Sequence, residues 1–147
     1  MSASATLLGL LLSAAFAPPG LAEDLVVIVH VDRNAPLSIA QIAQIYLKKR
    51  RFWDDGEPIV PVNRDSGSAA RESFVRMVFG SSARQHAVYW NRRYFQGILP
   101  PATLASDEAV KRFVAGEPLA IGYVHPSVVD ASVRVILHLR DPSTRPP

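Results

Sequence analysis

The chain has no cysteine. That excludes disulfides, thiolate nucleophiles and thiolate metal sites. Its four histidines, His30, His86, His125 and His138, are scattered without the spacing of a ligand pair, so the sequence predicts no metal centre. The patterns GxxxxGK[ST], GxGxxG and GxSxG are absent. A P-loop, a dinucleotide fingerprint and a hydrolase elbow therefore have no support. Asp54-Asp55-Gly56 is too short for a calcium loop. Ser66 or Ser68 could be drawn beside His125 as nucleophile and base, but no spacing links them. These absences predict a protein that is not an enzyme and needs no cofactor. No apolar run is long enough for a permanent bilayer span, and no internal repeat or low-complexity linker is present.

What the chain does have is ordinary for one globular domain: 147 residues, 48% hydrophobic and 20% charged. The opening residues stand apart. Leu7 to Ala17 is apolar except for Gly9 and Ser13, Pro18-Pro19-Gly20 breaks the run, and Gly20-Leu21-Ala22 supplies the small residues of a cleavage site. Residues 1–22 are read as a secretory signal peptide, although no Lys or Arg precedes the apolar run. All charged residues follow it, so the mature part keeps the net charge of +3. A modest basic excess of this size favours anionic partners only weakly. Residues 23–140 are read as one domain, and the Pro-rich residues 141–147 as a disordered tail.

Within the domain, Leu25-Val26-Val27-Ile28-Val29-His30-Val31 is a β-branched run that predicts a strand buried on both faces. Ser38 and Gln41 have capping-box spacing. They open a helix whose apolar face is Ile39, Ile42, Ile45 and Tyr46, with Lys48-Lys49-Arg50-Arg51 at its negative end. Trp53 is read as a packed lid over the core. Further strands are predicted around Val60, Ile121 and Val135, and further helices from Ser68, Ser82 and Ser106. The alternation predicts an α/β domain, a mixed sheet flanked by helices. Its expected core holds Ile28, Ile42, Ile45, Val60, Phe74, Val78, Phe113, Ile121 and Val135.

The densest chemistry lies between the predicted strand Pro58–Val62 and the helix carrying Phe74 to Phe79: Asn63-Arg64-Asp65-Ser66-Gly67-Ser68-Ala69-Ala70-Arg71. A helix N-terminus leaves N–H groups unpaired and carries partial positive charge. Ser adds hydroxyls, Gly permits close approach, and Arg offers a fork of donors for an oxyanion. Two readings stand: an anion cradle, or a helix capped by Ser68 with both arginines solvated. Short Ser/Gly motifs are common, so local sequence alone favours the cap.

The order of several segments adds a resemblance. Ala35-Pro36-Leu37-Ser38, then Gln41 to Trp53, then Ile59-Val60-Pro61-Val62-Asn63-Arg64 before the Ser/Gly turn, and later Gly116 to Val124, are similar to segments of the periplasmic phosphate-binding proteins of ABC transporters. The similarity runs from about Val26 to Leu139. It implies one lobe of a type II periplasmic binding protein, with Arg64, Ser66, Gly67 and Ser68 on the family's phosphate loop. Two departures mark that loop. Only Asp65 separates Arg64 from Ser66, where the family has about three residues, and Ser68 stands in place of Thr. Arg71, one helical turn on, is the alternative charge partner. The resemblance is to the second lobe with its connecting strands, and leaves no room for a full first lobe.

The resemblance implies an exported protein that binds phosphate or a similar oxyanion. It implies an ABC transporter permease or another envelope protein as partner, and no nucleic acid. Pairing of two copies is left open. The alternative is an envelope interaction module with the same fold that has lost its ligand.

Overall fold

The computed structural model describes residues 23–141. The expected leader and residues 142–147 lie outside the described residues. Five strands and four helices are described: β1 (Leu25–His30), α1 (Ile39–Tyr46), β2 (Val60–Arg64), α2 (Ala69–Phe79), α3 (Ala83–Tyr94), β3 (Ala102–Leu104), α4 (Asp107–Gly116), β4 (Ala120–Val124) and β5 (Val133–Leu139), with one short 3-10 turn at Pro126–Val128. The strands form one sheet in the order β3-β2-β4-β1-β5. β2 runs parallel to β3 and β4, and β1 runs antiparallel to β4 and β5. The mixed α/β sheet expected from the sequence is therefore present.

β1 shows why a continuous apolar run was needed. Leu25, Val27 and Val29 face a cluster with Ile42, Ile45 and Tyr46 of α1 and Phe74 and Val78 of α2. Val26 and Ile28 face the opposite cluster, built on Val110 and Val114 of α4. Alternate side chains on a strand point to opposite faces, so a strand covered on both sides must be apolar throughout. Gly122 of β4 makes the second contact possible. A Cβ at that position would lie 2.6 Å from Val110 Cγ1, so glycine lets α4 approach the sheet.

The helix starts follow the sequence. Ser38 and Ser82 form capping boxes with Gln41 and Gln85, and Ser68 and Ser106 cap α2 and α4. Gly80 ends α2 in the left-handed conformation, φ 63°. Trp53 is buried and donates from Nε1 to the Leu119 carbonyl at 3.1 Å.

Several expectations need correction. Lys48-Lys49-Arg50-Arg51 does not close α1, which ends at Tyr46 with Leu47 as its cap. The Gln44 carbonyl instead receives the backbone N–H groups of Lys49 and Arg50, at 2.9 and 3.1 Å. Lys48 is left-handed, φ 54°. Ile39 is exposed because it stands at the first position of α1, off the buried Ile42–Ile45–Tyr46 face. Phe113 is exposed because Val110 and Val114, one turn apart, take the sheet-facing stripe. Val60 and Val135 are only half-buried. In α3 the buried residues are His86 and Trp90, while Val88 and Phe95 face outward.

Candidate functional site

β2 ends at Arg64, the chain turns through Asp65-Ser66-Gly67, and Ser68 caps α2. The turn is held locally. Ser68 N–H donates to the Asp65 carbonyl at 3.1 Å, and Ser68 Oγ donates to the same oxygen at 2.9 Å. Ser68 Oγ also accepts the Arg71 N–H at 3.1 Å. Its hydroxyl is thus engaged in the cap. Among the described residues, the N–H groups of Ser66, Gly67, Ala69 and Ala70 have no protein acceptor. These amides lie at the positive end of an eleven-residue helix.

The two arginines have different surroundings. Arg64 Nη1 is hydrogen-bonded and ion-paired with Asp107 Oδ1. Its Nη2 reaches Asp65 Oδ1 at 3.4 Å and the Ala105 carbonyl at 3.3 Å. Arg64 Nε is buried without a partner. Arg71 Nη1 donates to the Arg64 carbonyl at 2.8 Å. Its side chain also borders a cavity of about 200 Å³, together with Ser66, Trp90, Asn91 and Pro100. The fold therefore brings Ser66 and Arg71 to one cavity, turns Arg64 toward α4, and uses Ser68 as a cap. Gly67 lies at the turn's crest with open space around its α-carbon.

An aromatic block supports this corner from behind. Phe74 stacks on Tyr123 with centroids 3.8 Å apart, and Tyr46 meets Phe74 edge-on at 4.7 Å. Tyr123 Oη accepts the Arg64 N–H at 3.2 Å and donates to Asn63 Oδ1 at 2.8 Å. Burial pushes the Tyr123 phenol up to about 12 and raises Tyr46 as well. Both rings stay neutral and act as fixed donors at ordinary pH. His86 is buried and hydrogen-bonded to Trp90, which lines the cavity. Its Nε2 accepts Trp90 Nε1–H at 3.2 Å, and desolvation, with the positive charge of Arg71, lowers its pKa to about 4.

Sequence reasoning missed Asp107. It follows the Ser106 cap and looks like an ordinary acidic first-turn residue, stabilising the helix dipole. Nothing local says that it crosses to Arg64. The serine–histidine pairing does not form: His125 Nδ1 is 2.7 Å from Ser127 Oγ, and its backbone N–H donates to Asp107. Among the described residues, no group of three or more His, Asp or Glu could hold a metal ion, and no helix is long and apolar enough to cross a membrane.

Against known proteins, the geometry finds clear counterparts among solved structures. A putative phosphate ABC transporter substrate-binding protein from Clostridium perfringens, solved with bound phosphate, is 29% identical with a TM-score of 0.61, over 78% of this chain and 44% of that one. An ABC-type phosphate transport receptor from Vibrio cholerae is 21% identical with a TM-score of 0.61, over 78% and 45%. PstS from Borrelia burgdorferi is 16% identical with a TM-score of 0.60, over 85% and 49%.

The chain has the fold of phosphate substrate-binding proteins.

It spans less than half the length of each of these three structures. No protein-family model and no curated protein matches it.

Proposed function

We propose that this domain binds a phosphate-like oxyanion, without catalysis, at the start of α2. The observation that carries the reading is that Ser66, whose amide has no protein acceptor, and Arg71 line one cavity beside the N-terminus of α2. Backbone N–H groups and an arginine are complementary to a tetrahedral oxyanion, and the helix dipole adds to the attraction. The bound phosphate named for the Clostridium perfringens structure supports the choice of ligand class. Arg71 is the primary charge partner, and Gly67 and Ser68 shape the loop. Arg64 is a second partner, available once it leaves Asp107.

The leader-like segment before Glu23 supports an exported, periplasmic protein that meets an ABC transporter permease or another envelope protein. One observation favours a second reading, an interaction module without a ligand: Arg64 already has a carboxylate from its own chain. A phosphate titration followed by Trp90 fluorescence separates the two. Trp90 lines the cavity, so a saturable change supports binding, and no change at millimolar phosphate or sulfate favours the module.

A further inference from the structure

The strongest unassigned surface is the outer face of α3 and the turn after it. Between Glu72 and Asp107 the sequence contains no Asp or Glu and four arginines, Arg76, Arg84, Arg92 and Arg93. Arg76 is paired with Asp141, and Arg93 is half-buried over the Tyr89 ring. Arg84 and Arg92 are exposed and, among the described residues, have no carboxylate within ion-pair distance.

Apolar side chains share this surface. Val88, Tyr94, Phe95 and Leu99 are all exposed, and Phe95 retains 88% of its free surface. Arg84, Val88, Asn91 and Phe95 follow helical spacing and lie along one face, with Arg92 one turn beyond Val88. Phe95 caps the helix, and Gly97 turns the chain with φ 78°. The exposed residues Tyr94-Phe95-Gln96-Gly97 thus lie at the C-terminal end of this face beside Arg92, with Arg84 at its opposite end. A clustered apolar surface of this kind marks an interaction site.

We propose that this face of α3 lies along an anionic lipid surface, with Phe95 and Leu99 entering the interface and Arg84 and Arg92 meeting the headgroups. Charge complementarity favours the assignment, because no acidic residue of the segment opposes it. An exposed helix face carrying both apolar and cationic side chains also fits a fluid interface, which needs no preformed pocket to receive it. Two copies meeting through this face would place like charges together.

The test is co-sedimentation of the purified protein with vesicles of phosphatidylglycerol in phosphatidylcholine, and with vesicles of phosphatidylcholine alone. Binding is expected only to the anionic vesicles and should weaken with salt. The double variant Arg84→Gln/Arg92→Gln should bind about thirtyfold more weakly. Phe95→Ser/Leu99→Ser should also lose binding, while both variants keep the wild-type melting temperature to within a few degrees.

Absence of binding to the anionic vesicles overturns the proposal. So does binding unchanged in either double variant, or reduced equally by Lys48→Gln/Lys49→Gln on the other basic cluster. Binding to a poly-glutamate peptide without vesicle binding would assign the surface to an acidic protein partner and equally overturn it.

Discussion

Asp107 bridges two elements that border the candidate site. One carboxylate oxygen receives the Arg64 guanidinium, and the other receives the backbone N–H of His125 at 3.0 Å. The first turn of α4 is thereby fastened to the end of β2 and to the segment after β4. The same contact places a negative charge where an incoming anion would compete for Arg64.

Asp107→Asn should therefore have two opposite effects. Removing the charge leaves Arg64 less firmly held and should lower stability by about 1–3 kcal/mol. It also removes a repulsive charge, and phosphate affinity should rise by about threefold to tenfold. Thermal unfolding and calorimetric titration of the same variant check both.

Gly122→Ala should destabilise the fold without touching the site. The added methyl meets Val110 Cγ1 at 2.6 Å in a layer that also contains Val62 and Val114. Overpacking of this kind costs about 1–3 kcal/mol. Chemical denaturation should show a lower midpoint with an unchanged slope.

Stability should depend on pH through His86. Its folded pKa is lowered to about 4 from an unfolded value of 6.5, so between these values the unfolded state binds more protons. The neutral imidazole's contribution is complete above the unfolded pKa and is lost as pH falls from 6.5 toward 4. The loss amounts to roughly 3 kcal/mol at most. His86→Leu should flatten the melting-temperature profile in that window, even if its plateau is lower because Trp90 Nε1 loses an acceptor.

The layered α/β fold was legible because its strongest signals are local and periodic. The run Leu25 to Val31 predicts a doubly covered strand, which forms over Leu25–His30 and leaves Val31 exposed in the turn. Ser38 with Gln41 and Ser82 with Gln85 predict the helix starts that are present. Ser68 was legible as a cap for the same reason. β3 was not, because three residues after Pro100-Pro101 carry no period, and their strand character comes from pairing with Val62, Asn63 and Arg64. Phe113 illustrates another limit. Sequence spacing puts it beside Val110 and Val114, but only the packed sheet decides which stripe is covered. The Arg64–Asp107 contact spans 43 positions, and no spacing rule reaches that far.

The most direct measurement is calorimetric titration of phosphate into wild type and Arg71→Ala, with Arg71→Lys as a charge-retaining control. Losing one charge-assisted hydrogen bond of roughly 1.5–3 kcal/mol should weaken binding by about tenfold to a hundredfold. Wild type should saturate, Arg71→Ala should show that loss while remaining folded, and Arg71→Lys should recover part of it. No heat of binding from wild type at millimolar phosphate or sulfate, or equal affinity in wild type and Arg71→Ala, would contradict the assignment of an oxyanion to the start of α2.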